Sequence, residues 1–277
     1  QRKECLKFFL KCYFSVPPIY AEPRVVTDLK DCTFYHTMDI PGYGIVEGEF
    51  DLQDGVDAYL GNENFNGKRV LEIGPASGFL TFNMERKGAD VVACDLSEKQ
   101  EWDIVPYCQY DYKNFAEKRR EGMTTINNAF WLAHKAFNSR AKVVYGSAYE
   151  IPEAIGHVDI ATFCAILLHI RDPFLVIQKA LKLTLKTAIV TELVPKHYWL
   201  LKIFKKLTGN WVRFVPNPKT VEPRETWWAI PPETMIQYLA LLGFEEYKLK
   251  FHSQKQCGRK FEFYTIVATR TRDISTN

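Results

Sequence analysis

Two carboxylates and two glycines stand at spacings that suit a nucleotide-like ligand. In VLEIGPASGFLT, Val70 to Thr81, an apolar run ends at Glu72, Gly74 and Gly78 follow four apart, and an apolar helical pattern opens at Phe79. Glycines in that turn let the backbone take positive φ or let a ligand lie against it, and the helix behind presents unpaired N–H groups. The dinucleotide fingerprint G-x-G-x-x-G requires glycines where Ala76 and Phe79 stand, so a pyrophosphate fits poorly. Glu72 at the strand end suits a cationic or amino-bearing ligand instead. GADVVACDLS reads as a second buried strand ending in Asp95, about 20 residues past the glycines, where a carboxylate accepts both hydroxyls of a ribose.

A third reactive group is His169 in CAILLHIRDPF. An imidazole titrating near neutrality is suited to general-base work or to contact with an acceptor, and it can equally tie a loop together.

The elements that must carry these groups follow from periodicity. Short β-rich runs alternate with helical stretches, which predicts a parallel sheet wound on both faces. Expected strands are Arg69 to Ile73, Asp90 to Cys94, Lys142 to Tyr145, Val158 to Cys164 and Thr187 to Glu192. A helix runs from Phe79 toward Gly88, a longer one over Tyr112 to Ser139, and another opens at Pro173, where the missing N–H is not needed. Pro231-Pro232 opens a helix stopped by Gly243. Strands Glu245 to His252 and Lys260 to Thr269 then form a closing antiparallel hairpin.

Glu72, Gly74, Gly78 and Asp95 in register resemble the cofactor motifs of class I S-adenosylmethionine-dependent methyltransferases. The resemblance implies an α/β Rossmann-like fold, a seven-stranded mostly parallel sheet with an antiparallel C-terminal hairpin. It divides the chain into an N-terminal extension and cap over 1–66 and a methyltransferase core over 67–277, with a cap insertion at about 194–230. It implies S-adenosylmethionine as cofactor and S-adenosylhomocysteine as product. The cofactor set is then Glu72, Gly74, Ala76, Ser77, Gly78, Asp95 and Leu96. Ser147 and Ala148 stand where many members place an adenine-binding Asp, and Cys164 stands beside the methionine end.

The runs FYHTMDIPGYGIVEGEFDL, EWDIVPY and LLHIRDP with ETWWAIPPETM resemble the branch related to tRNA wobble-uridine (5-oxyacetyl uridine) methyltransferases, over about Phe34 to Phe244. That likeness nominates Tyr35, His36 and Phe50 as a segment closing over the cofactor, with His36 a second catalytic candidate, and Trp102 as an adenine or substrate neighbour. Carboxymethyl-transferring members carry a Tyr where this chain has Leu168, so ordinary S-adenosylmethionine is expected. A small-molecule acceptor, sugar-containing ones included, ranks ahead of tRNA; a non-catalytic cofactor-binding or partner-binding module is the alternative of another class.

The insertion KHYWLLKIFKKLTGNWVRF interleaves Trp199, Leu200, Leu201, Ile203, Phe204 and Leu207 with Lys202, Lys205 and Lys206. A lid over the substrate, a phosphate-tracking face for RNA, and a shallow membrane-surface contact through 196–207 all fit this pattern, in that order. Arg224, Trp227 and Trp228 either offer a stacking platform to a substrate or plug the insertion onto the core.

Composition bounds these readings. Thirty-six basic against 33 acidic residues leave +3, which carries no nucleic-acid signature. The 7 cysteines form no C-x-x-C pair, which fits a reducing cytoplasm with neither a disulfide frame nor structural zinc. No obligatory protein partner is evident, and the segment RKECLKFFLKCYF, interrupted by Lys7 and Lys11, does not read as a secretory signal.

Overall fold

The computed structural model describes residues 19–203, 210–256 and 259–273. Cys5, Cys12, Phe204, Lys205, Lys206, Leu207 and Cys257 lie outside them.

Three short strands come first: β1 (Met38–Ile40) and β2 (Gly44–Val46), an antiparallel pair, and β3 (Phe50–Asp51). A single turn, α1 (Val56–Tyr59), leads to the central unit. It comprises β4 (Arg69–Ile73), α2 (Phe79–Arg86), β5 (Asp90–Asp95), α3 (Tyr112–Ala136), β6 (Lys142–Tyr145), β7 (Val158–Cys164), α4 (Pro173–Lys182) and β8 (Thr184–Leu193). Then come α5 (Tyr198–Ile203), the paired strands β9 (Arg213–Phe214) and β10 (Trp228–Ala229), α6 (Pro232–Leu241), and the hairpin β11 (Glu246–Gln256) and β12 (Arg259–Thr269).

The main sheet has eight strands in the order β3-β11-β12-β8-β7-β4-β5-β6. The stretch from β8 to β6 is parallel, and β12, β11 and β3 run antiparallel to their neighbours. All seven expected strands are present. The eighth, β3, pairs Phe50 with Gln256 and Asp51 with Lys255. Two residues carry too little alternation to register as a strand in sequence.

Apolar side chains fill both faces of the sheet. On one, Val176, Ile177 and Leu181 of α4 and Met235 and Leu239 of α6 pack over Leu71, Ala161 and Phe163. On the other, Phe79 and Phe82 of α2 and Phe130 and Trp131 of α3 pack over Val70, Val91 and Val143. Phe34, Ile40, Leu60 and Phe65 belong to this second cluster. Described residues before Gly67 thus contribute buried side chains to this face, and β3 extends the sheet.

The insertion divides in two. Its described helix α5 lies on the C-terminal hairpin, where Trp199 meets Phe251 at 4.8 Å and donates Nε1–H to Glu262 at 3.2 Å. Leu200 and Ile203 face outward, 57% and 77% exposed. The later part, through β9 and β10, packs against Val105 and Tyr107. No described helix is long and apolar enough to cross a membrane.

Candidate functional site

The C-terminal ends of β4, β5, β6 and β7 open on one cleft of about 630 Å³, the place where open parallel sheets bind ligands. It brings together Gly74, Asp95, Leu96, Trp102, Ser147, Ala148 and His169 from the expected set.

The turn after β4 is built on positive φ: +75° at Gly74, +49° at Ala76 and +87° at Gly78. Gly74 lies on the cleft, and a Cβ there would meet Ile166 Cδ1 at 2.9 Å. Gly78 has another reason to be glycine, since its Cβ would strike the rings of Phe82 at 2.5 Å and Phe130 at 2.8 Å. It serves helix packing, away from the cleft lining.

Asp95 closes β5. Its Oδ2 accepts the Ala76 N–H at 3.2 Å and its Oδ1 the Leu96 N–H at 2.8 Å. Each oxygen keeps a lone pair for a ligand hydroxyl. Burial pushes its pKa up to about 7. Glu72 is buried on β4; one oxygen accepts the Thr81 hydroxyl at 2.5 Å and the other has no partner among the described residues. Burial raises it to about 8, and the nearby Asp95 charge adds to the rise. A carboxylate with an idle buried oxygen is suited to a cationic or N–H-bearing ligand group.

Ser147 Oγ accepts the Tyr149 N–H at 3.2 Å and shapes the loop after β6. Cys164, the last residue of β7, has its thiol pKa raised by burial and by the Glu72 and Glu192 charges, which leaves it a neutral thiol.

His169 ends a 3-10 turn, Leu167–His169. Its Nδ1–H donates to the Glu225 carbonyl at 2.6 Å, which leaves the Nε2 lone pair without a partner among the described residues. Burial, with the Arg119 charge, lowers its pKa to about 4, so the ring is neutral at physiological pH. Trp102 meets it edge-on at 6.4 Å, and the Arg119 guanidinium stacks on Trp102 at 4.7 Å while pairing with Glu225.

Other expected residues sit elsewhere. Ser77 is fully buried, and its Oγ accepts the backbone N–H groups of Tyr35 and His36 at 3.2 and 3.4 Å. It anchors the N-terminal segment to the glycine turn. Tyr35, His36 and Phe50 pack together, their rings 4.9 to 6.0 Å apart, and do not line the cleft. His36 also meets Phe79 at 5.5 Å, and burial lowers its pKa to about 3, so the ring is neutral. Trp227 is 7% exposed and donates Nε1–H to the Asp103 carbonyl at 2.5 Å. Trp228 donates Nε1–H to the Arg171 carbonyl at 2.9 Å. Of the two roles weighed for this pair, the plug is the one their contacts describe. Arg224 stacks on Tyr110 at 4.7 Å and pairs with Glu222 at 2.5 Å.

Two residues escaped the sequence reading, Asp103 on the cleft lining and Arg119 behind Trp102. Asp103, in the segment before α3, accepts from the Tyr149 hydroxyl and from the Arg171 N–H at 2.8 Å, so three loops meet at one carboxylate. Arg119 lies mid-helix in a charged stretch, EKRREG, where nothing separates it from a solvated arginine. Among the described residues no group of three His, Cys, Asp or Glu could hold a metal.

No family model and no curated protein matches the chain. Solved structures do. The N-terminal domain of EvdMO1 with bound SAH aligns at 17% identity over 88% of this chain and 93% of that one, with a TM-score of 0.51. The same domain in the presence of SAH and D-fucose aligns with a TM-score of 0.50 at 17% identity, over 87% and 93% of the two chains. Magnesium protoporphyrin IX methyltransferase from Synechocystis PCC 6803 with bound SAH gives a TM-score of 0.50 at 14% identity, over 79% and 82%. The strand order, the antiparallel closing hairpin and these alignments together establish the architecture: the chain has the Rossmann-like class I methyltransferase fold.

Proposed function

We propose that the chain is a methyltransferase that uses S-adenosylmethionine and acts on a small-molecule acceptor. The observation that carries this reading is the convergence of Gly74, Asp95, Ser147, Ala148 and Trp102 on one cleft. Asp95 would hold the ribose hydroxyls, the Ala148 amide and Ser147 the adenine edge, and Glu72 the amino end. When bound, the cofactor supplies an electrophilic methyl group on a sulfonium. The chain's part is to align an acceptor with it and to keep water out, which accounts for much of such a rate enhancement. His169 faces the same cleft with Nε2 as an acceptor. A pKa of about 4 makes it a weak proton trap, so it is suited to orienting an acceptor hydroxyl or amine more than to storing its proton.

A small acceptor is favoured because Arg119 and Arg224 beside the cleft already have Glu225 and Glu222 as ion-pair partners, which leaves little net charge to track phosphates. Neighbours crystallised with SAH, one of them also in the presence of D-fucose, support the cofactor and a small, sugar-like acceptor. The tRNA reading rests on the sequence resemblance alone. Calorimetric titration with S-adenosylhomocysteine, with NADH as control, tests the cofactor: micromolar binding of the first and none of the second is expected, and the reverse would refute the proposal.

A further inference from the structure

Glu192 belongs to none of the motifs read from the sequence, yet it is 4% exposed and sits one residue before the end of β8, opposite Tyr264. A buried carboxylate needs a reason to be there. Its Oε1 accepts the Leu167 N–H at 2.8 Å. Leu167 opens the turn that ends at His169.

The rest of that turn is held on other sides. Ala165 leaves β7 at a φ of +52°, its N–H bonded to the Thr191 carbonyl at 2.7 Å. The His169 N–H closes the turn on the Ile166 carbonyl at 3.0 Å, and the Leu168 carbonyl accepts the Trp227 N–H at 2.8 Å. With the backbone so placed, the imidazole reaches the Glu225 carbonyl through Nδ1. The hydrogen bond made by one ring nitrogen decides which nitrogen carries the proton.

We propose that Glu192 is a positioning residue: its carboxyl group holds the Leu167 N–H and with it the Leu167–His169 turn, orients His169 onto the Glu225 carbonyl, and so keeps the imidazole with its proton on Nδ1 and its Nε2 lone pair open to the cleft. The assignment deepens the methyltransferase reading and takes its catalytic meaning from it. The geometric claim stands apart from that reading and has its own measurement.

Nitrogen-15 NMR of histidine-labelled protein at pH 7.5, with the His169 signals assigned through His169→Gln, reads the tautomer directly. In the wild type His169 should be almost wholly the Nδ1–H form. Glu192→Ala should lose that dominance, the Nε2–H form becoming major, while Glu192→Gln, which keeps an acceptor oxygen in place, should retain the wild-type pattern. Glu192→Asp, which keeps the carboxyl group and shortens the reach, should behave like the alanine variant and serves if that protein does not fold. A dominant Nδ1–H form in Glu192→Ala or Glu192→Asp would overturn the proposal. S-adenosylhomocysteine titrations of the same proteins separate the two claims: affinity within threefold across the variants is expected. Absent binding in the wild type would remove the cofactor reading while leaving the tautomer result intact.

Discussion

The Glu225 carbonyl lies 2.6 Å from His169 Nδ1, and the Glu225 carboxylate pairs with Arg119, whose guanidinium stacks on Trp102. One residue thus sets the tautomer of the imidazole through its backbone and the local charge through its side chain. The imidazole then presents only a lone pair to an acceptor, and the adjacent cation discourages its protonation. Replacing Arg119 with Met removes that cation and should raise the His169 pKa above about 4, toward the ordinary value of 6.5. An NMR titration that leaves the pKa unmoved would contradict it.

Asp95 carries a prediction about proton release. Burial holds its pKa up to about 7, so near neutral pH about half of the free protein carries a proton there. Ligand hydroxyls donating to the carboxylate favour its charged form, so S-adenosylhomocysteine binding at pH 7 should release protons. Calorimetry in buffers of different ionisation enthalpy reads this release, and Asp95→Asn should reduce it. Binding heats that do not vary with buffer would count against the assignment.

Glu192 gives a stability prediction with a definite sign. Its folded pKa is pushed up to about 8 by burial, above the ordinary value of 4.5, so the native state holds more protons than the unfolded chain across that window. The contribution is present below about pH 4.5 and is lost as pH rises through 8. Glu192→Gln lacks it. The Tm difference, variant minus wild type, should therefore grow more positive from pH 5 to pH 8.5. A difference that stays flat over that range would show that the carboxylate is charged throughout.

Gly78 separates strain from collision. Alanine at Gly42, with φ of +83° and open space, pays only the left-handed strain of about 1–2 kcal/mol. At Gly78 the φ is similar, +87°, but the methyl group meets Phe82 and Phe130. Gly78→Ala should cost several kcal/mol in denaturant unfolding, well beyond Gly42→Ala. Equal costs would mean that the rings yield.

These predictions divide by how far their residues could be read in sequence. Strands β4, β6 and β7 lie at their expected limits, because each is a compact apolar run closed by a polar or turn residue. Asp95 and Gly74 lie on the cleft, as their spacing predicts, because each sits at a strand end and reaches it through its own turn. Glu192 was not legible, since its partner Leu167 lies 25 residues upstream and only strand pairing unites them. Arg119 was hidden likewise in a charged helix, its partners Trp102 and Glu225 coming from two separate loops. The burial of the N-terminal segment was hidden for another reason. Phe34, Ile40 and Phe65 are spaced too irregularly to show a face, and burial declares itself only when α2 and α3 lie against them.

The central claim is that this cleft binds S-adenosylmethionine through Asp95. Its most direct test compares the S-adenosylhomocysteine affinity of wild type and Asp95→Ala by calorimetry. Losing ribose hydrogen bonds, about 1–3 kcal/mol, should weaken binding by several-fold to about a hundredfold. Equal affinity in the two proteins, or no binding to the wild type, would contradict it.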